Sequence, residues 1–155
     1  MEDLVLPTSN TLEENVLAII DFVKQVEHEY GLSDEEIEYK YTRGSCKNLA
    51  QFAILDTLVR LFGNIRGASV VKIEYNRSFP HYYFKVEEKK GNSCFYDILG
   101  KKTNKEMVDF MNGGYWKKYN LKVAKSLASK KGLQFSYVLD ACEQHIKAYG
   151  NNIIA

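Results

Sequence analysis

Three side chains in this 155-residue chain have types and an order suited to thiol chemistry: Cys46, then His81, then Asp97. A cysteine sulfur attacks a carbonyl carbon as its thiolate. An imidazole takes the thiol proton and returns it to the leaving group, and a carboxylate holds that imidazole in one tautomer. Each residue also has a plain structural reading, since free cysteine is often a small core residue and most His and Asp side chains do no chemistry. What singles them out is the setting the three share.

The sulfur belongs to RGSCKNLAQFAILDTLVRLFG, residues 43–63, where Leu49, Ala50, Ala53, Ile54, Leu58, Leu61 and Phe62 recur at three and four residues. That spacing predicts a helix with one buried face and Cys46 in its first turn. Unpaired backbone N–H groups and the positive end of the helix dipole lie there, and both favour thiolate over thiol. Gly44 permits a tight entrance to the helix, and Ser45 is positioned as its N-cap.

The imidazole and carboxylate fall in segments rich in β-branched and aromatic residues. SVVKIEY (69–75), PHYYFKVEE (80–88) and SCFYDILG (93–100) read as three strands separated by turn material. A three-residue turn over 88–90, with Gly91 as a left-handed bulge residue, sets His81 directly opposite Asp97. Cross-strand partners have Cβ atoms about 4.5 to 5.5 Å apart, which suits an imidazole–carboxylate hydrogen bond.

The runs R-G-x-C-x-x-L-A (43–50), H-Y-Y-F-K-V (81–86) and F-Y-D-I-L-G (95–100) resemble the core of papain-like and transglutaminase-like cysteine proteins, including small phage or prophage proteins. The resemblance implies a single papain-like or transglutaminase-like domain over 1–155, with its core at 43–100 and helical segments at 11–38 and 103–149. It also implies acyl transfer or hydrolysis at a peptide, isopeptide or glutamine amide through a thioester at Cys46, with a protein or peptide as substrate. The chain departs from the papain-like pattern in two ways: it has no Gln between Gln25 and Cys46, and its only tryptophan is Trp116. The oxyanion donors are therefore sought elsewhere, with Tyr39 and Tyr41 as candidates by analogy with a transglutaminase tyrosine. Lys47, Asn48, Tyr82 and Tyr83 are expected to line the site entrance.

Composition bounds the remaining classes. Net charge is +1, but residues 1–38 carry eleven acids against one base, while 39–155 carry twenty bases against nine acids. Such segregation reads as solvated helix faces or contact between the halves, and less often as a partner site. Lysines 101, 102, 105, 117, 118, 122, 125, 130 and 131 surround Phe110, Tyr115, Trp116 and Tyr119, a pattern also found where nucleic acid binds. A non-catalytic binding protein is therefore the alternative reading. Cys46, Cys94 and Cys142 form no C-x-x-C pair, so neither a disulfide framework nor a metal site is expected, and no cofactor is called for. With no long apolar span and an acidic start, the expectation is a cytoplasmic protein without membrane contact.

Capping boxes at Thr11/Glu14, Ser33/Glu36 and Thr103/Glu106 start flanking helices, followed by helical patterns over 115–131 and 134–149. The expected fold class is α+β: a small antiparallel sheet packed against the Cys46 helix, with further helices at both termini.

Overall fold

The computed structural model describes residues 12–63, 65–73, 81–87, 92–110, 121–129 and 134–154. Helix α1 (Leu12–Glu29) forms because Val16, Ile19, Ile20, Val23 and Val26 recur on one face, and all five are buried. In α2 (Asp34–Arg43) the expected capping box is complete: the Ser33 hydroxyl accepts from the Glu36 amide at 3.2 Å, and the Glu36 carboxylate accepts from the Ser33 amide at 2.9 Å. Thr103 and Glu106 cap α4 (Asn104–Asp109) in the same way. Thr11 lies outside the described residues, so its capping box is not described.

The Cys46 helix is wound differently from the α-helix its spacing predicts. Ser45 accepts from the Leu49 amide, which places Cys46 at the first helical position, but Asn48–Leu55 is π-helical before α3 (Asp56–Phe62) resumes ordinary winding. The Asp56 amide reaches back five residues to the Gln51 carbonyl. Leu49, Ala50, Ala53, Ile54 and Leu58 lie in the core as expected, whereas Phe62 is 36% exposed, a correction to its expected place on the buried face. Helices α5 (Leu121–Ser129) and α6 (Ser136–Ile154) follow the sheet, with Leu127, Val138 and Cys142 inward. Residues 115–120 and 130–131 of the expected helix lie outside the described residues.

Four antiparallel strands form the sheet in the order β1 (Ala68–Ile73), β2 (His81–Glu87), β3 (Ser93–Asp97), β4 (Gly100–Thr103). The fourth is a correction to the expected three. The chain reverses at Ile98–Leu99, with Asp97 paired to Gly100, which sits at φ +99°, a left-handed value that suits glycine. The β2–β3 register is also corrected. Pairs run from Phe84↔Tyr96 to Glu87↔Ser93, a register in which Asp97 falls level with Tyr83, two residues along β2 from His81. Because side chains alternate with period two, this two-residue shift leaves His81 and Asp97 on one face as diagonal neighbours.

The sheet is covered on both sides. Phe84, Val86, Cys94 and Tyr96 face the large core shared with α1, α2, the Cys46 helix and α6, while Tyr83 and Phe95 pack against Met107 and Phe110 on the α4 side. The architecture is α+β, with the Cys-bearing helix packed across the sheet and helices towards both ends. Among the described residues no helix is long and apolar enough to cross a membrane.

A fully buried ion pair fastens the helical layer. Lys40 Nζ lies 2.7 Å from Glu27 Oε2, and neither side chain is exposed. The same carboxylate accepts from the hydroxyls of Tyr41 and Tyr137, and Lys40 also donates to Tyr137 and to the Gln134 carbonyl. These bonds join α1, α2 and α6, and with Lys101–Glu13 on the surface they tie the acidic start of the chain to its basic remainder. Removing one partner strands a buried charge. Lys40→Met is therefore expected to lower unfolding free energy by about 3–5 kcal/mol in urea titration. Combined with Glu27→Gln, it is expected to cost less than the two single changes summed.

Candidate active site

The first three residues of β2 pair with β1 but not with β3, whose ladder begins at Phe84↔Tyr96. Cys46 meets the sheet at this end of the strand. Its thiol is electrostatically coupled to the His81 side chain, and the backbone amides of Tyr82 and Lys47 favour its charged form. The Lys47 amide is one of the first-turn N–H groups that have no carbonyl partner within the helix. Sequence reading foresaw the helix start; the Tyr82 amide is supplied by the strand end and had no signal in residue type.

His81 has no exposed surface, and its Nε2 donates to Asp97 Oδ2 at 3.0 Å. With Nε2 committed there, Nδ1 is the ring nitrogen left to serve the thiol. The Tyr83 ring stands edge-on to the imidazole at a centroid distance of 4.5 Å, and Phe110 lies 6.1 Å away, so the ring is walled by aromatics. Asp97 is buried and fully occupied. Its Oδ1 accepts from the Leu99 amide at 2.9 Å, closing an Asx turn over the β3–β4 reversal, and from Lys102 Nζ at 3.3 Å.

The electrostatics follow from these contacts. Burial alone would push the Cys46 thiol up, but the influence of His81, with the Tyr82 and Lys47 amides, outweighs it and holds the pKa below the ordinary thiol value. For His81 burial favours the neutral ring, and the bond to Asp97 with the charges of Asp97 and Cys46 overcomes it, so the pKa is raised. Burial likewise opposes charge on Asp97, and His81, Lys102 and the Leu99 amide together keep its pKa below the usual carboxyl value. Every shift favours a thiolate–imidazolium–carboxylate row. By contrast burial pushes the Cys142 thiol up to about 12, with the carboxylates of Glu143 and Asp56 acting in the same direction.

The remaining expected site residues divide. Lys47 is exposed, Asn48 is half-buried beside it, and Lys47 Nζ lies 5.7 Å from the centre of the Tyr82 ring, so these three surround the Cys46 end of the helix. Tyr83 does not line an entrance, because it is fully buried beneath His81 in the α4-side core. Tyr41 is not an oxyanion donor, because its hydroxyl is committed to Glu27 at 2.7 Å within the helical core. Tyr39 is half-buried on α2 against the same core.

Lys102 was grouped by sequence with a basic aromatic patch, but it turns inward to Asp97 and lies 4.9 Å from the centre of the Phe110 ring. Lys101 is likewise engaged within the chain, by Glu13. Lys117, Lys118, Lys130, Lys131, Tyr115, Trp116 and Tyr119 lie outside the described residues. A cleft of about 540 Å³ lined by Lys85, Asn92, Ser93, Phe95, Thr103 and Lys105 opens at the other end of the sheet and touches none of the Cys46, His81 and Asp97 side chains. Among the described residues no group of three His, Cys, Asp or Glu side chains is arranged to hold a metal ion. No protein-family model, curated protein or solved structure matches the chain.

Two measurements check this site. At neutral pH iodoacetamide is expected to modify Cys46 at least about tenfold faster than Cys142, with His81→Asn removing most of that difference, as followed by peptide mass spectrometry. Stability should track the same groups. The raised His81 contributes fully below its ordinary value of 6.5 and is lost as pH climbs through its higher folded value. The lowered Asp97 contributes above its ordinary 3.8 and is lost as pH falls through its lower folded value. The urea midpoint of the wild type should therefore exceed that of Asp97→Asn most at mildly acidic pH, and the gap should narrow on acidification below 3.8.

Proposed function

We propose that the chain is a thiol-dependent acyl-transfer enzyme acting on a peptide, isopeptide or glutamine side-chain amide, with Cys46 as nucleophile. The observation that carries this reading is a buried imidazole bonded through Nε2 to Asp97 and electrostatically coupled to the Cys46 thiol. The agreement in residue order with papain-like and transglutaminase-like proteins supports it. The sulfur lone pair forms the S–C bond while the carbonyl π electrons move onto oxygen. As the oxyanion collapses, the C–N bond breaks and the amine leaves with the proton held by His81. Water or an acceptor amine, deprotonated by the same ring, then attacks the thioester, and the thiol is restored. Asp97 stabilises the imidazolium formed between these steps and keeps the ring from turning.

First-turn amides at Cys46 are the natural donors to the oxyanion, in place of the tyrosine hydroxyls expected from sequence. Lys47, Asn48 and Tyr82 are the residues placed to meet substrate. The three free thiols suit a reducing compartment, and the cytoplasm is the proposed location.

The test is a covalent intermediate. Incubation with p-nitrophenyl acetate is expected to give a burst of nitrophenolate and an acetyl group on Cys46, detectable by intact mass and released by hydroxylamine. Cys46→Ala should abolish the burst, and His81→Ala should slow it by about 10²-fold or more. Equal acylation of Cys46, Cys94 and Cys142 would overturn the reading.

A further inference from the structure

The row of site residues does not end at the carboxylate. Lys102 projects from β4, is only 12% exposed, and places Nζ 3.3 Å from Asp97 Oδ1 with its approach flanked by the Phe110 ring. A lysine so nearly buried and aimed at a carboxylate already bonded to a histidine is an expensive arrangement unless the charge is used. The charges along the row then alternate: thiolate, imidazolium, carboxylate, ammonium. Their sum is zero.

Resting on the thiol reading above, we propose that Lys102 is a positioning residue of this site, whose fixed positive charge sets the pH range in which Cys46 and His81 form their ion pair. Without it the assembled row carries a net negative charge in a poorly hydrated place. Such a row is neutralised by holding a proton, so every titrating member keeps its proton to higher pH. Lys102 thus brings the working window down towards neutrality by acting through Asp97.

Among the described residues the other groups facing the row are few. Tyr83 from β2 and Phe110 beside α4 wall the imidazole with their rings. Lys47 stands exposed at the helix start, the Leu99 amide comes from the β3–β4 turn, and Glu106 on α4 is solvent-exposed and feels Lys102 from outside. Of these cations, Lys102 alone touches the row.

The experiment is the pH profile of Cys46 alkylation by iodoacetamide, which has two inflections: one as the thiol ionises and one as the imidazolium loses its proton. In Lys102→Met both are expected to move to higher pH, by about half a unit or more, whereas Lys102→Arg leaves them near wild-type positions. A Met variant that is slower but has unmoved inflections would make Lys102 merely structural and overturn the proposal. A wild-type profile lacking the low-pH inflection would instead overturn the thiol reading itself. Where Lys102→Met does not fold by circular dichroism, Lys102→Gln carries the same comparison. Loss of fold in both, with Lys102→Arg folded, assigns the charge to stability and also overturns the proposal.

Discussion

A carboxylate cannot be buried as a bare charge, and the way Asp97 is satisfied governs the arrangement around it. Its two oxygens take a ring nitrogen from β2, a main-chain amide from the turn that follows it, and an ammonium from β4. Each bond fixes a different thing. The first fixes the rotation of His81, the second the reversal that makes β4 possible, and the third the protonation state of the carboxylate. A ring so held presents one nitrogen towards the start of the helix, which is where the sulfur lies.

The protein contains a second buried ionic cluster, and the comparison is instructive. Glu27 and Lys40, with Tyr41 and Tyr137, are saturated by each other and lie wholly among helices. That cluster includes none of the Cys46, His81 and Asp97 side chains. The Asp97 cluster differs because it is built at the end of a strand, where β2 has a partner on one side only, and so an amide and an imidazole are left for a group from another element. Burial and hydrogen bonding are common to both. Position relative to a sheet edge separates a clamp from a candidate site.

Much of this was legible in the residues. The Cys–His–Asp order, the helix start at Cys46 and the boxes at Ser33/Glu36 and Thr103/Glu106 are local patterns, and local patterns survive folding. The β2–β3 register was not, because it depends on the length of a connection, yet the face assignment held since a two-residue slip preserves alternation. β4 was hidden because Ile98 and Leu99 are apolar residues in a reversal, where polar ones are usual. Tyr41 and Lys102 were misplaced for one reason. A tyrosine or lysine carries no mark in sequence of whether its polar end meets water, substrate or a buried carboxylate, and here both meet carboxylates.

The π-helical winding of Asn48–Leu55 bears on how this chain tolerates change. Most side-chain replacements in that segment leave the count of residues between Cys46 and the anchored Leu58 intact. Deleting one residue would let the backbone fall back to the tighter α period, and the portion bearing the sulfur would swing around the axis relative to the portion locked in the core. The sulfur's placement is therefore encoded by the length of this stretch more than by its composition. Variation among functional descendants should appear there as substitution, with gaps confined to the connections outside it.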